Sequence, residues 1–472
     1  MDQQEHPQAQ SEQPSAPQTP VPPSAPEQPP LSDEQQALAR QQEARRMKRL
    51  AQKRRRQLQQ RIVLAVLALI LVLAIVLAVR SCTGKSADTN NPSEPVNTPT
   101  DADPSAAPDI QVEPDTVITL AAVGDIMAYD DQIELAKQAD GSYDFTSSFA
   151  AVSALTMSAD FTVGNLELTF CGEPYQGRPE FRAPEALGQA LANVGFDLVQ
   201  TANTYSITNG ISGLNSTIKY LNTFGIDHVG TYASAEEKAA NEGVLLKNVN
   251  GIKIAFIAYT KGVNSLKLPE GSEYAVDLLY TDYDSEYTTV NRKALSDSVK
   301  AAKALNPDLI VAMLHWGSEW DAGITDTQKE ITTLLLEGGV DVILGSHPHV
   351  VSQMETRTVT TDDGKTKNCF IAYSLGNFLA SPDAQTANRT MESVLLNLQI
   401  TKKGDTGETS ITGISYVPLY IAKTETDTGT VIQVLPVRNA IKSALFPELE
   451  QDMTDTIAHL RSDTASDYDS GR

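Results

Sequence analysis

The amino-acid sequence predicts an α/β domain with covered β-sheets over residues 116–440. Short apolar runs of strand length alternate in this region with amphipathic helical segments, the pattern expected when helices pack on sheets. The last three predicted strands have little helix between them, which favours a mixed sheet over a purely parallel one. Polar residues collect directly after the apolar runs, and ligands of open α/β sheets usually bind at that end of the strands.

The predicted strands are apolar runs that end in polar or glycine-containing turns. The early strands are VITLAAVGD, ADFTVGNLE, FDLVQTAN, IKIAFIAYT, DLIVAMLHWG, VDVILGSHPHV and CFIAYSLGNF, and the late ones are ESVLLNLQIT, ITGISYVPLYI and TVIQVLPV. The predicted helices are PEALGQALANVG, SGLNSTIKYLNTFG and DTQKEITTLLLEGG, each of which closes near glycine as helix C-termini often do. After the domain, residues 441–472 predict a short helix and then an acidic, disordered tail.

The region before the domain predicts a membrane anchor. Residues 1–39 are rich in Pro and Gln and hold too few large apolar side chains to order the chain, so we predict disorder. Arg40 to Arg61 carry ten basic residues and one Glu, a net charge of +9, in a segment rich in helix formers. Residues 62–79 are eighteen uncharged apolar residues, long enough to span a bilayer as a helix. Because 61 residues precede this run, we predict a retained anchor, not a cleaved signal peptide.

The basic helix at residues 40–61 predicts the orientation of this anchor. The positive-inside rule places it in the cytoplasm, where it also meets anionic lipid headgroups. We therefore predict a single-pass protein of the cell membrane whose N terminus is cytoplasmic and whose main domain is extracellular, on a flexible linker over residues 80–115. A basic run alone also fits nucleic-acid binding, but its place beside a spanning helix favours the membrane. No nucleic-acid partner is predicted.

The acidic residues are concentrated in the exported part. The whole chain has a formal net charge of −23, and residues 1–39 hold six acidic and no basic residues, so the part after Arg61 carries −26. A surface this acidic repels polyanions. An anionic ligand therefore needs a local cationic feature, such as a metal ion, to hold it.

The three cysteines are too few for a disulfide framework. Cys82 follows the anchor, but Arg80 stands where a lipoprotein signal has a small residue, which argues against lipidation. The other two leave two alternatives open, a Cys171–Cys369 disulfide or two unpaired buried thiols.

The polar residues that follow the strands predict one shared cleft. Taken singly, each has a plainer explanation, such as a tight turn at Asp125 or a hydrogen-bonded loop at His347 and His349, but their repetition at six strand ends favours a site. Their carboxylate, amide and imidazole groups suit a divalent cation such as Mn, Fe or Zn. The predicted members are Asp125, Asn165, Glu167, Asn203, His315, Glu319, His347, His349 and Asn377.

Six motifs, in chain order, resemble one protein family. GDIM, GNLE, FRAPEAL with NVGFDLVQTAN, HWGSEW, GSHPHVV and YSLGNF look like the CapA-type poly-γ-glutamate synthesis proteins, which are similar in fold to calcineurin-like metallophosphoesterases. The resemblance covers roughly residues 117 to 380 and continues more weakly to about 440. It implies a layered α/β/β/α sandwich with a metal-centred cleft built from these loops.

The resemblance also implies roles for single residues. The implied metal ligands are Asp125, Asn165, Glu167, His315, His347 and His349. The sequence departs from the family at its third motif, where Ala202, Asn203, Thr204 and Tyr205 stand in place of Ala-Asn-Asn-His, and at Met127, where metallophosphoesterases have histidine. Threonine is a poor ligand and neutral tyrosine a weak acid at neutral pH, so these departures argue against a complete two-metal hydrolytic centre.

Two functions follow from this pattern. The first is an export or assembly factor for an anionic surface polymer of the poly-γ-glutamate capsule type, with a degenerate metal site and with the polymer or other envelope assembly proteins as partners. The alternative is a metal-dependent hydrolase or transferase acting on an extracellular amide or phosphate ester, with His349 and Tyr205 as catalytic residues. In either case the predicted substrate-binding residues are Asn203, Arg178, Arg182, Glu319 and Asn377. A surface or ion-paired role explains the two arginines equally well.

Overall fold

The computed structural model describes residues 113–382, 389–426, 429–444 and 446–471. The predicted cytoplasmic segment, basic helix and membrane span, with nearly all of the linker and Cys82, lie outside the described residues. Among the described helices, none combines the length and apolar character needed to cross a bilayer.

Fourteen strands form two mixed sheets within the described residues. The first sheet has the order β14-β13-β12-β1-β2-β3-β4, with β11 also paired to β1, and the second has the order β5-β6-β7-β8-β10-β9. The strands are β1 Thr116–Ile126, β2 Phe161–Leu166, β3 Leu198–Gln200, β4 Asp227–Val229, β5 Leu245–Val249, β6 Ile252–Thr260, β7 Leu309–His315, β8 Val342–Ser346, β9 Met354–Thr360, β10 Thr366–Ala372, β11 Asn377–Leu379, β12 Glu392–Lys402, β13 Thr409–Thr426 and β14 Gly429–Pro436. In the first sheet β1 to β4 run parallel and β12 to β14 antiparallel, and in the second β6, β7, β8 and β10 run parallel.

Ten α-helices accompany these strands in the described part of the chain. They are α1 Asp130–Ala136, α2 Thr146–Phe149, α3 Ser153–Ser158, α4 Ala186–Asn193, α5 Gly210–Phe224, α6 Ala235–Ala240, α7 Arg292–Ala304, α8 Asp326–Gly338, α9 Val437–Ser443 and α10 Glu450–Thr464. The three predicted helices are confirmed as α4, α5 and α8. The capping box at Thr325 and Gln328 fixes the start of α8, and the left-handed Gly225 ends α5.

The layers follow from the alternation of side chains along each strand. In β1, Ile118, Leu120 and Ala122 face the core between the sheets, whereas Ala121 and Val123 face the core under the helices of the first sheet. In β7, successive side chains likewise alternate between the inter-sheet core and a second core that α7 and α8 cover. A strand that is buried on both faces is apolar at nearly every position, so it appears in the sequence as a continuous apolar run. The predicted α/β fold with covered, mixed sheets is therefore confirmed.

The end of the chain differs from the prediction. Residues 450–464 form the predicted helix, α10, but residues 465–471 are ordered against the domain instead of forming a disordered tail. The backbone N–H of Tyr416 donates to the carbonyl of Tyr468, 2.7 Å away, and the Tyr468 ring packs edge-on against Phe370 of the inter-sheet core. Asp469 pairs with Arg438 and Arg461. The Tyr468 ring and the two arginines thus hold this acidic segment against the domain. The domain boundary predicted at residue 440 is therefore too early.

The cysteine alternatives are also decided. Cys171 and Cys369 are both free; Cys171 is half-buried, and Cys369 is buried in the middle of β10. Burial raises the pKa of the Cys369 thiol to about 11, so it stays protonated. A Cys171–Cys369 disulfide is not part of this structure.

Candidate metal centre

The carboxyl ends of parallel strands from both sheets bring five ligand side chains together. Asp125 lies near the end of β1, Glu167 follows β2, His315 ends β7, and His347 and His349 follow β8. Two groups of three have ligand atoms within 4.8 Å of one another: Asp125, Glu167 and His315, and Glu167, His347 and His349. Glu167 belongs to both groups. These five of the residues predicted to share one site therefore lie together, and all five side chains are buried.

Two glycines allow these strand ends to approach each other closely. A Cβ atom on Gly124 would lie 1.8 Å from the carbonyl oxygen of Gly376, and one on Gly345 would lie 2.0 Å from that of Tyr373. Both distances are far inside van der Waals contact. Glycine at these positions therefore lets Asp125, and the loop that follows β8, reach the centre.

Hydrogen bonds fix the two carboxylates. Asp125 Oδ2 lies 3.1 Å from His349 Nδ1, and Asp125 Oδ1 accepts from Asn165 Nδ2 at 2.7 Å. Glu167 Oε1 lies 3.0 Å from His315 Nε2. Burial acts to raise the pKa of Asp125, but the hydrogen bond and charge of His349 hold it below its usual range. Asp125 is therefore an anion at neutral pH, as a ligand must be.

His347 has an unused nitrogen inside the centre. Its Nδ1 is buried and has no hydrogen-bond partner among the described residues, and its ring lies 4.5 Å from that of His315. Burial, aided by the electrostatic effect of His315 and His349, holds the pKa of His347 well below its usual range, so the imidazole is neutral. A buried nitrogen without a partner is costly. A neutral imidazole with a free lone pair is the form that binds a metal ion, so the residues fit one.

Backbone strain is concentrated at the same two histidines. His347 has φ 95° and His349 has φ 59°, in the left-handed region that non-glycine residues rarely adopt. Each such residue costs on the order of 1–3 kcal/mol and persists only where the surroundings enforce it. Strain of this kind clusters at functional sites, which agrees with a ligand role for both side chains.

His349 carries a proton in the metal-free protein. Burial lowers the pKa of His349, but the hydrogen bond that its ring donates to Asp125 and the charges of Glu167 and Glu319 outweigh that effect and raise the pKa to about 9. His349 is therefore an imidazolium at neutral pH, paired with Asp125. Ligation through this ring requires that the proton leaves.

The amide side chains act as supports for the ligands. Asn377 Oδ1 lies 2.9 Å from His349 Nδ1, and Asn377 Nδ2 donates to the carbonyl of Thr390 at 3.0 Å. Asn203 Nδ2 donates to the carbonyl of Leu166 at 2.7 Å and to Asn165 Oδ1 at 3.2 Å. Asn165, Asn203 and Asn377 are all buried. The structure thus gives Asn203 and Asn377 bracing contacts, while their role in substrate binding stays a prediction. Both the oxygen and the nitrogen of Asn165 are engaged by neighbours.

Tyr205 is placed beside the centre but in an apolar setting. Its ring packs on Phe181 with centroids 4.4 Å apart, and its backbone N–H donates to Asn203 Oδ1 at 3.1 Å. Burial and the charges of Glu167 and Glu319 raise the pKa of Tyr205 above its usual range. The phenol therefore keeps its proton and is a weak general acid at neutral pH. It can donate a hydrogen bond but offers little to proton transfer.

The two arginines of the rim differ from each other. Arg182 donates from Nε to the carbonyl of Gly172 at 2.7 Å and from Nη2 to that of Cys171 at 3.1 Å, so its guanidinium holds the loop backbone. Arg178 is exposed, and its positive charge acts on Tyr205. Of the two arginines predicted to bind substrate, Arg178 is the more exposed, and no described backbone carbonyl holds its guanidinium.

The loop after β7 forms another part of the rim. Trp316 is fully buried and its Nε1 donates to the carbonyl of Tyr373 at 2.9 Å, so it anchors the loop. Trp320 is 43% exposed, and its backbone N–H donates to the carbonyl of Pro348 at 2.8 Å. Glu319 is half-buried between these tryptophans, close enough to His349 to act on it by charge.

Sequence comparison supplies the family. The pattern of the family described as Bacterial capsule synthesis protein PGA_cap matches residues 119–382, which include every predicted metal ligand. The chain belongs to this family. The resemblance to CapA-type proteins predicted from the six motifs is thereby confirmed.

Two relatives in this family cover most of the domain. The PGA biosynthesis protein CapA of Bacillus subtilis (strain 168) is 26% identical over 346 residues, which span 70% of this chain and 80% of that protein. The capsule biosynthesis protein CapA of Bacillus anthracis is 26% identical over 296 residues, 61% of this chain and 65% of that protein. Among solved structures, a novel phosphatase from Mycoplasma pneumoniae aligns with a TM-score of 0.34 and 15% identity, over 65% of this chain and 94% of that one.

Proposed function

We propose that this PGA_cap protein is a factor for the synthesis or export of an anionic, capsule-type surface polymer, and that it binds the polymer at a divalent metal centre. Membership of a family of capsule synthesis proteins supports the polymer class. The apolar run at residues 62–79 and its basic flank support a membrane anchor with the domain outside the cell.

The ligand cluster carries this proposal. Asp125, Glu167, His315, His347 and His349 would hold the ion, and the orphaned His347 Nδ1 is the observation that most favours it. A bound Mn, Fe or Zn ion would supply a concentrated positive charge that attracts carboxylate or phosphate oxygens. Asn165 and Asn377 orient Asp125 and His349 so that their ligand atoms stay directed into the centre.

The charge of the protein makes a local cation necessary for this role. The part after Arg61 carries −26, which repels an anionic chain over most of the surface. The polymer is therefore held where positive charge is concentrated, at the centre and its rim.

Binding without cleavage is favoured by the residues beside the ligands. The family's usual histidine is replaced by Tyr205, whose raised pKa leaves it a poor proton donor, and Met127 is a buried, apolar side chain. A metal-dependent hydrolase or transferase is the second candidate. The observation in its favour is the Asp125–His349 pair, an oriented imidazolium of the kind that serves as a general acid.

A binding and turnover assay on residues 113–472 tests the proposal. We expect the metal-loaded domain to bind poly-γ-glutamate saturably and to release no product from the polymer or from phosphate esters beyond that formed by free metal. The double variant His347→Ala/His349→Ala should lose binding by about tenfold or more, because the centre is gone.

The control is His459→Ala, which removes a histidine of α10 whose side chain lies partly exposed and paired with Glu392. This variant should bind like the unaltered domain. If product forms only with metal and is absent with the double variant, the protein is an enzyme instead. If the double variant still binds the polymer, the metal centre has no role in binding.

A further inference from the structure

Lys261 differs from the other half-buried lysines of the domain. Four such lysines each pair with an aspartate at 2.6 to 2.8 Å: Lys238 with Asp277, Lys247 with Asp227, Lys367 with Asp341 and Lys402 with Asp308. Lys261 is also half-buried, yet it forms no ion pair with any described residue. An ammonium withdrawn from water without a carboxylate partner is unfavourable, so its position needs a reason.

Neutral groups hold the Lys261 ammonium in place. Its Nζ donates to the carbonyl of Gly317 at 2.7 Å and lies 5.0 Å from the centre of the Tyr287 ring. These contacts fix the direction of the side chain without neutralising its charge, and they use one of its three donors. The remaining donors and the full positive charge are left for another partner.

Lys261 lies at the same carboxyl ends of the strands as the metal ligands. Lys261 directly follows β6, and its backbone N–H donates to the carbonyl of His315, 2.8 Å away. Its Nζ reaches the carbonyl of Gly317, two residues after the ligand His315, so the ammonium also lies against the loop that follows β7. Burial lowers the pKa of Lys261 itself, and the charge of Glu319 opposes that effect without an ion pair.

Lys261 and Arg178 approach the centre from different sheets. Arg178 lies in the connection after β2 of the first sheet, three residues before Phe181, whose ring packs on Tyr205 with centroids 4.4 Å apart. Lys261 extends from β6 of the second sheet to the carbonyl of Gly317 in the loop after His315. Neither cation has an ion-pair partner among the described residues. The ligand cluster is therefore flanked by a positive charge on each side.

We propose that Lys261 and Arg178 form an anion-binding pair that straddles the metal ligands, with Lys261 fixing one anionic oxygen group of the ligand beside His347. The carboxylates of a polyglutamate chain and a phosphate group share the required chemistry, two or more oxygens that accept from an ammonium and a guanidinium. The inference rests on the proposed function for its ligand class, but not for the position of the two cations.

Binding measurements on substituted proteins test this pair. The probes are a fluorescent γ-linked glutamate oligomer, followed by anisotropy, and inorganic phosphate, followed by calorimetry, each at low and high salt. Whichever probe the unaltered domain binds, we expect Lys261→Met to weaken its binding roughly tenfold or more, because one charge-assisted hydrogen bond is lost. Lys261→Arg should restore most of the binding, because a cation returns to the same place.

The matched control is Lys267→Met, six residues further along the same connection, where the lysine is exposed and paired with Asp284. It should bind both probes as the unaltered domain does. Metal content and thermal stability are measured on every variant, so that loss of the centre or of the fold is recognised separately from loss of the cation.

The outcomes separate this inference from the proposed function. Phosphate binding that depends on Lys261, without binding of the glutamate oligomer, would uphold the anion-binding pair and contradict the polymer. Lys261→Met protein that binds as well as the unaltered domain, or an unaltered domain that binds neither probe, would overturn the pair.

Discussion

Glu167→Gln should reduce the metal affinity of the domain roughly a hundredfold or more, because Glu167 is the one carboxylate shared by both ligand groups. Glutamine has nearly the same shape, so the cavity stays filled while the charge that a divalent ion needs is lost. The contact of Glu167 Oε1 with His315 Nε2 at 3.0 Å becomes a neutral one and can persist. Metal affinity is measured by competition with a chelator, and thermal unfolding of the metal-free protein shows whether the fold is retained.

The control for this substitution is Glu185→Gln. Glu185 is likewise a hydrogen-bonded carboxylate, half-buried, which accepts from the backbone of Gly172 at 2.8 Å and from Tyr175 Oη at 2.6 Å, but it lies outside the ligand groups. Its replacement should leave metal affinity unchanged. Equal affinities for Glu167→Gln and the unaltered domain would show that the cluster is not the metal site.

Gly345→Ala should destabilise the domain by about 3 kcal/mol, at the upper end of the range for overpacking. The added methyl group would lie 2.0 Å from the carbonyl oxygen of Tyr373 and 2.7 Å from Trp316 Nε1. Because Trp316 Nε1 donates to that same carbonyl, the strands β8 and β10 must separate and this buried hydrogen bond must break. Urea unfolding followed by fluorescence measures the change, since the broken contact involves a tryptophan.

The control here is Gly338→Ala near the end of α8. A methyl group at Gly338 would meet Val299 at 3.4 Å, an ordinary contact, and alanine favours the helix. This variant should be as stable as the unaltered domain or slightly more so. A Gly345→Ala protein that unfolds at the same urea concentration would contradict the close approach that positions His347 and His349.

The sequence predicted those parts of the fold whose burial is uniform. Strands such as β7 are covered on both faces and therefore appear as unbroken apolar runs. The strand β9 was missed because only Met354 of METRTVT is buried, and the other positions alternate between half-buried and exposed without an apolar run. The tail after α10 was predicted to be disordered from its acidic composition, but a few long-range contacts, chiefly those of Tyr468 and Asp469, order it.

The sequence predicted those site residues that directly follow a predicted strand. Asp125, Glu167, His315, His347 and His349 each follow an apolar run, and parallel strands bring their carboxyl ends to one edge. Lys261 follows β6 in the same way and could have been found by this signal, although a single lysine after a strand does not stand out. The sequence could not distinguish Arg178 from Arg182, because the backbone carbonyls that engage Arg182 become neighbours only in the folded loop.

Metal content tests the central claim most directly. The domain, residues 113–472, is purified without chelator or affinity metal, beside the double variant His347→Ala/His349→Ala, and both are analysed by elemental mass spectrometry before and after titration with Mn, Fe and Zn. We expect about one or two equivalents of metal in the unaltered domain and loss of that metal in the variant. A folded, unaltered domain that contains no metal and takes up none on titration would contradict the account.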